Sequence, residues 1–283
     1  KYNTFGLDVN ADFFTSINSI DELVEVLNSE QFLSMPKMFL GGGSNVLLTK
    51  DYHGLIIHNY LKGIDLVKRE EDFVYVKAAS GEVWHDFVLY CIDNGFGGVE
   101  NMSLIPGSVG AGPMQNIGAY GVEMKDVFHE LEAFNLTTLQ IEKFNNADCI
   151  FGYRESVFKN EKKGQYFITS VTFRLNLKPT VNTTYGAIQQ QLSAMNVEHP
   201  TIKNVSDAVI AIRSSKLPNP AVLGNSGSFF KNPEISASEY ERLKNEFPNV
   251  IAYPTNTGFK VAAGWLIEQC GWKGKVVGNC GSH

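Results

Sequence analysis

Long apolar runs, an excess of basic residues, paired cysteines and nucleotide-binding signatures of the common kinds are all missing from this 283-residue chain. The longest apolar stretches fall far short of a membrane span, and no basic-then-apolar leader opens the chain. A net charge of −6 argues against a general nucleic-acid binder, which carries a basic face. It leaves room for a local basic pocket that accepts a phosphorylated metabolite. Cys91, Cys149, Cys270 and Cys280 form no CxxC pair and fit no zinc spacing, so they read as free thiols of a cytosolic protein. The six histidines are scattered and support no metal site. No Gly-Lys-Ser/Thr follows a glycine loop, and no GxGxxG opens a helix, so neither a P-loop nor a dinucleotide fingerprint is present.

What the chain does have is enough apolar content, 43%, to build a core of ordinary size. Residues 18–30 read as a helix with Ser19 and Glu22 as a capping box. Residues 82–95 read as a second helix stopped by Gly95. Strands are expected at 38–40, 54–59, 73–80, 127–136, 139–144 and 166–177, the last with clear apolar–polar alternation. Helices return at 204–215, 236–246 and about 260–271. The shift in composition near residue 200 marks a domain boundary.

Four stretches carry chemistry. "LGGGSNVLL" (40–48) puts Gly41, Gly42 and Gly43 before Ser44 and Asn45. Glycines let a ligand approach the backbone, and successive N–H groups make an anion-binding concavity. A pyrophosphate is the natural guest, and a plain glycine-rich hairpin is the competing reading. "SLIPGSVGAGPMQNIGAYGVE" (103–123) is too glycine-rich for a regular element and too apolar for a mobile surface loop. It reads as wrapping a large flat ligand, with Ser108, Gln115 and Asn116 able to hydrogen-bond it, or as a buried structural loop. "FGYRESVFK" (151–159) sets Arg154 in a partly buried place, suited to a carboxylate or paired with an acid such as Glu155. "RSSKLPNPAVLGNSGSFFKNP" (213–233) places Arg213 and Lys216 at a helix end and surrounds Ser228 with small residues. No His or Asp lies beside Ser228, so a nucleophilic triad is not indicated. It is either a proton-donating hydroxyl or a turn residue.

In this order, the stretches together with "YNTFG" (2–6) and "AAGWLIEQCGWKG" (262–274) resemble the UDP-N-acetylenolpyruvoylglucosamine reductase family, also called the UDP-N-acetylmuramate dehydrogenases, along essentially the whole chain. The resemblance implies an α+β fold: the FAD-binding fold of the vanillyl-alcohol oxidase (PCMH) type in two subdomains, plus a C-terminal α/β substrate-binding domain. The implied limits are 1–60, 61–203 and 204–283. The implied reaction is reduction of FAD by NADPH, followed by hydride transfer from flavin N5 to UDP-N-acetylglucosamine enolpyruvate. A proton from a serine completes UDP-N-acetylmuramate for peptidoglycan. The expected protein is a cytoplasmic monomer acting on a small molecule, without nucleic acid, membrane or metal.

The resemblance also assigns roles. Gly41, Gly42, Gly43, Ser44 and Asn45 cradle the FAD pyrophosphate, aided by Ser108, Gly110, Asn116, Ile117 and Gly118. Arg154 matches the arginine that stabilises the enolate. Ser228 matches the serine that protonates the enol carbon. Tyr185 and Lys216 hold the substrate diphosphate, with Tyr153, Asn232 and Arg213 in the same pocket. Tyr185, in "NTTYGAI", resembles the tyrosine of the type I loop. The family continues past the position of His283 into a tail with a catalytic glutamate, which this sequence does not include and which Glu268 does not replace. A flavin oxidase of the same fold, or a non-catalytic flavin or nucleotide-sugar binder, are the competing functions.

Overall fold

A computed structural model describes residues 2–283. The chain divides into two compact units, residues 1–226 and 227–283.

The first unit opens with a parallel βαβ region. Strand β1 (Ala11–Ile17) leads to helix α1 (Ile20–Asn28), then β2 (Lys37–Leu40) and β3 (Tyr52–Asn59). The strands form a parallel sheet in the order β1-β3-β2. The central strand β3 is buried from Gly54 to Ile57, where the consecutive apolar residues Leu55, Ile56 and Ile57 fit a strand covered on both faces. Ser19 caps α1 by accepting a hydrogen bond from the Glu22 N–H, as expected, but the Glu22 carboxylate reaches back to the Asn18 N–H rather than to Ser19. β1 carries no clear periodicity in the sequence, because its two adjacent phenylalanines blur the alternation.

A five-stranded antiparallel sheet follows. It contains β4 (Ile64–Arg69) and β5 (Phe73–Ala79), which lead to helix α2 (Trp84–Asp93). After a long irregular stretch come the short hairpin strands β6 (Gly118–Ala119) and β7 (Val122–Glu123). Next are β8 (Phe128–Asn135), β9 (Ile141–Asn145), the single turn α3 (Asn146–Cys149) and β10 (Tyr166–Asn176). The sheet order is β4-β5-β10-β8-β9. β4 is an exposed edge that shows almost no hydrophobic pattern, which is why it escapes a reading by periodicity.

The alternation in β10 is real, but of its polar residues only Arg174, near the end, is exposed. Thr169, Ser170 and Thr172 are all buried. Thr169 Oγ1 donates to the Glu132 carbonyl, and Ser170 Oγ donates to the Glu132 carboxylate, which also pairs with Lys77 at 2.6 Å. A central strand has neighbours on both sides, so its polar face must be satisfied internally.

Two cores result. The larger lies between α2 and the antiparallel sheet, around Trp84, Phe87 and Phe173. The smaller joins the two sheets: Ile17, Leu23, Leu55 and Ile57 of the parallel region pack with Phe134 and Phe167 of the antiparallel one. Helices α4 (Gly186–Ala194) and α5 (Ile202–Lys216) complete the unit with their own apolar cluster around Ile188, Val205 and Val209. α5 starts at a capping box between Thr201 and Asn204. It belongs to the first compact unit, although the composition shift near residue 200 suggested a break there; the contact boundary lies at 226/227. α4 leaves little trace in the sequence, because only Ile188 and Leu192 mark its buried face.

The second unit is small. β11 (Glu234–Ile235), α6 (Ala237–Glu246), β12 (Ala252–Pro254), β13 (Phe259–Val261) and α7 (Ala263–Gln269) are followed by the pair β14 (Val276–Val277) and β15 (Cys280–Gly281). Its three-stranded sheet has the order β11-β13-β12. Stacking of Tyr240 on Phe259, with ring centroids 3.8 Å apart, and an edge contact of Phe247 with the buried Trp265 hold it together. Among the described residues no helix is long and apolar enough to cross a membrane.

Candidate active site

The two glycine-rich stretches meet. The first begins at the end of β2. A Cβ built on Gly41 would lie 2.6 Å from Ser108 Oγ, and one on Gly42 would lie 3.3 Å from the Gly107 Cα. Conversely, a Cβ on Gly107 would approach Ser44 Oγ to 3.1 Å. Glycine is therefore required here for close approach of two backbones, not merely for a turn. Gly43 needs it twice over, with φ at +62° and the Tyr2 carbonyl filling the Cβ position.

None of the backbone N–H groups from Gly41 to Asn45 donates to a protein acceptor among the described residues. A run of donors without internal acceptors is costly unless water or a ligand accepts from them. Such a run on a glycine backbone fits an anionic bridge such as a pyrophosphate. The loop is steadied from the N-terminal block: Thr4 N–H donates to the Gly43 carbonyl, and Thr4 itself accepts from Asn225 N–H.

The second stretch is fixed by the turn between β5 and α2. Trp84 N–H donates to Gly107, while Val109 and Gly110 donate to the carbonyls of Glu82 and Ser80. The Gly110 N–H is thus already used, and its lack of a Cβ serves close contact with Ser80, whose side chain fills the place of that atom. Much of the apolar content of 103–123 goes to the core: Val109 and Ile117 belong to the larger cluster. Asn116 is fully buried at φ +45°. Its amide donates to Glu123 and the Gly152 carbonyl, and its Oδ1 accepts from Lys125 N–H. Its side chain ties loops together. Ser108 remains at the junction of the two stretches, and Gly118 is the first residue of the β6–β7 hairpin.

Two tight turns carry the aromatic and cationic groups. β6 and β7 are joined by Tyr120 and Gly121, at φ +50° and +82°. Positive φ at both central residues is the type I′ pattern, where Asn-Gly is the usual pair. Tyr120 holds a position that costs a side-chain-bearing residue about 1–2 kcal/mol. In the other turn, Gly152 and Glu155 exchange backbone hydrogen bonds, which leaves Tyr153 and Arg154 at the corner with Arg154 at φ +58°. Strained non-glycine residues of this kind cluster at functional sites.

Arg154 Nη2 donates to the Gly118 carbonyl at 3.0 Å, so the tip of one turn is clamped to the base of the other. Arg213, near the end of α5, donates through Nε to the Leu104 carbonyl at 3.3 Å. Each guanidinium is thus held by a backbone carbonyl rather than by a carboxylate. Burial lowers the pKa of Arg213; the positive field of Arg154 lowers it further, and Tyr120 opposes both. The two arginines feel one another's charge, and Tyr120, whose field also reaches Arg213, forms an edge-to-face pair with Tyr185, ring centroids 5.3 Å apart; this grouping of cations and aromatic rings suits an anionic ligand. Tyr185 sits at the N-cap of α4, and Lys216 ends α5 with an exposed side chain.

Of the sequence-derived candidates, the structure brings Gly41–Asn45 to Ser108 and Arg154 to Gly118, and couples Arg213 electrostatically to Arg154. Ser228 and Asn232 belong to the second unit. Ser228 is exposed, next to the exposed Phe229 and Phe230. Asn232 Oδ1 accepts from the Ala263 N–H at the start of α7, so it caps that helix. Tyr120, Gly107 and Leu104 were not singled out as ligand-site residues. The Tyr-Gly pair between two short extended segments was the available signal for the first of these.

The fold and the glycine cradle define a flavin-nucleotide-binding protein: residues 11–138 match the model of the FAD binding domain. Residues 219–283 match that of the UDP-N-acetylenolpyruvoylglucosamine reductase C-terminal domain. The whole chain is 53% identical to a UDP-N-acetylenolpyruvoylglucosamine reductase of Flavobacterium johnsoniae and covers 84% of that protein's length. It is 50% identical, also over its full length, to the enzyme of that name from a Neisseria meningitidis serogroup A strain, covering 82% of it. The crystal structure of the Thermus caldophilus reductase superposes with a TM-score of 0.65 at 21% identity, over 98% of this chain and 79% of that one, which supports the fold. The chain belongs to the UDP-N-acetylenolpyruvoylglucosamine reductase family.

Proposed function

We propose that this chain reduces UDP-N-acetylglucosamine enolpyruvate to UDP-N-acetylmuramate for peptidoglycan synthesis, with FAD as its bound cofactor and NADPH as reductant. Family membership carries the reaction. The observation within the molecule that supports it best is the junction of the two glycine loops, where the Gly41–Asn45 donors have no protein acceptor among the described residues. Bound FAD supplies the hydride.

The remaining work falls to side chains. Gly41, Gly42, Gly43, Ser44 and Asn45 hold the pyrophosphate, with Ser108 across from them. Gly110, Asn116, Ile117 and Gly118 shape the facing wall, largely through packing and loop anchoring. Arg154 stabilises negative charge that develops on the substrate carboxylate side as hydride arrives. Its clamp to Gly118 fixes the guanidinium beforehand, so little reorganisation is needed. Ser228 donates the proton to the enol carbon. Its exposure is compatible with that role, and a cation must assist so weak an acid. Tyr185 and Lys216 bind the diphosphate; Tyr153, Arg213 and Asn232 complete the substrate pocket. Tyr185 also favours the type I architecture.

We assign residues 1–60 and 61–203 as flavin-binding subdomains and 204–283 as the substrate-binding part; the last range takes in most of α5, which packs within the first compact unit. We place the protein in the cytoplasm as a monomer acting on a small molecule, without nucleic-acid or membrane partners. The test is reconstitution with FAD, giving a yellow protein, followed by anaerobic NADPH oxidation that depends on the enolpyruvyl substrate. NADPH oxidation with peroxide formation and no substrate dependence would favour a flavin oxidase instead.

A further inference from the structure

Leu104 stands in the left-handed region, φ +59°, without being glycine, asparagine or aspartate. Both of its backbone polar groups are held by side chains from different helices. Its N–H donates to His85 Nδ1 at 3.0 Å, from the first turn of α2. Its carbonyl accepts from Arg213 Nε at 3.3 Å, from the last turn of α5. A strained residue persists only where its surroundings over-determine it.

The neighbouring residues are pinned in the same way. Trp84 Nε1, one position before His85, donates to the Met102 carbonyl at 2.9 Å. Ser103 Oγ is 2.8 Å from Ser206 Oγ of α5, with both serines buried. Residues 102–104 therefore form a bridge between the two helices, and its last link is an arginine of the candidate anion pocket.

We infer that His85 is a positioning residue that sets the Arg213 guanidinium for the substrate by fixing Leu104. A backbone N–H can only donate, so His85 Nδ1 must carry no proton and the ring must be neutral, with its proton on Nε2. Burial favours that state by lowering the pKa of His85, and Arg213 favours it further against the opposing field of Asp86. With Nε spent on Leu104, the terminal nitrogens of Arg213 are left to bind an anionic substrate group as a fork. Loss of the His85 bond frees Leu104 to leave the left-handed conformation, which turns its carbonyl away from Arg213. His85 need touch neither substrate nor flavin to do this.

The inference rests on the assignment of Arg213 to the substrate pocket, and the experiment separates the two. The FAD-loaded chain and its variants H85L, H85N, R213M and H85L/R213M are titrated with the enolpyruvyl nucleotide sugar by calorimetry, and flavin reduction by NADPH is timed by stopped flow. R213M is expected to weaken substrate binding about tenfold, the size of one charge-assisted interaction. H85L is expected to weaken it by a similar factor while changing the rate of flavin reduction less than about twofold, since only substrate binding uses the guanidinium. H85N is expected to restore binding, because its amide oxygen can accept the Leu104 N–H from the place of Nδ1. The double variant is expected to bind as R213M alone does, which a general loss of folding would not produce. If R213M binds normally, the assignment of Arg213 fails. If R213M is weakened but H85L is not, or if the two losses add, the role of His85 is overturned.

Discussion

Ser44 and Gly107 lie on different glycine-rich stretches, yet a Cβ on Gly107 would stand 3.1 Å from the Ser44 hydroxyl oxygen. Gly107 also has φ at +107°, so a side chain there would be strained as well as crowded.

Gly107→Ala is therefore expected to push the two loops apart and to cost about 1–3 kcal/mol of backbone strain. The flavin-to-protein absorbance ratio after gel filtration should fall, and the thermal midpoint of the FAD-free protein should drop by a few degrees. A variant that retains flavin as the parent does would show that the junction is not part of the cradle.

Arg154→Lys keeps the charge but loses the planar fork that reaches Gly118. Turnover should fall on the order of 10²-fold, within the range seen when one preorganised donor is removed. Arg154→Met should fall at least as far. NADPH-dependent flavin bleaching, followed separately, should change much less in both.

Ser228→Ala should leave reduction of the flavin by NADPH nearly intact and severely slow its reoxidation by the enolpyruvyl substrate. Running the half-reactions apart in a stopped-flow instrument decides it. Equal slowing of both would remove the serine from the proton-transfer role.

The four cysteines should divide by burial. Cys91 and Cys149 are buried, whereas Cys270 and Cys280 are exposed. Burial pushes the Cys149 thiol up to about 12 and Cys91 well above the ordinary thiol range. The thiolate is the reactive form. At pH 8 a disulfide reagent should rapidly modify Cys270 and Cys280 alone, and all four once the chain is unfolded. Fast modification of Cys149 in the folded protein would contradict its burial.

Much of the fold could be read in advance wherever side chains face a core with regular spacing. α1, α2, β3, β5 and β8 to β10 are of this kind, as is Gly95, with φ at +75°, ending α2. β4 and the two-residue strands of the second unit depend on backbone pairing, which leaves no pattern in the side chains. The glycine content of 40–48 and 103–123 announced a close approach, but not that each stretch would be the other's neighbour. Distance along the chain hid that relation, as it hid the partnership of Arg213 with Leu104. The apolar residues of 103–123 gave a mixed signal: Val109 and Ile117 serve the core, while Ser108 sits at the loop junction. Asn116, read as a ligand donor, spends its side chain on Glu123, Lys125 and Gly152. Sequence reports that a polar residue is present, not which of several partners its few bonding sites will choose.

Thr4 offers its N–H to Gly43 and its carbonyl to Asn225, stitching the start of the chain to the cradle and to the stretch that leads out of the first unit. A protease that clips within residues 2–6 would cut this suture without touching a core residue. The flavin loop and the segment around Asn225 would then loosen together, so nicking of the first few residues should be slowed by FAD. Strain on Thr4 is transmitted directly to Gly43.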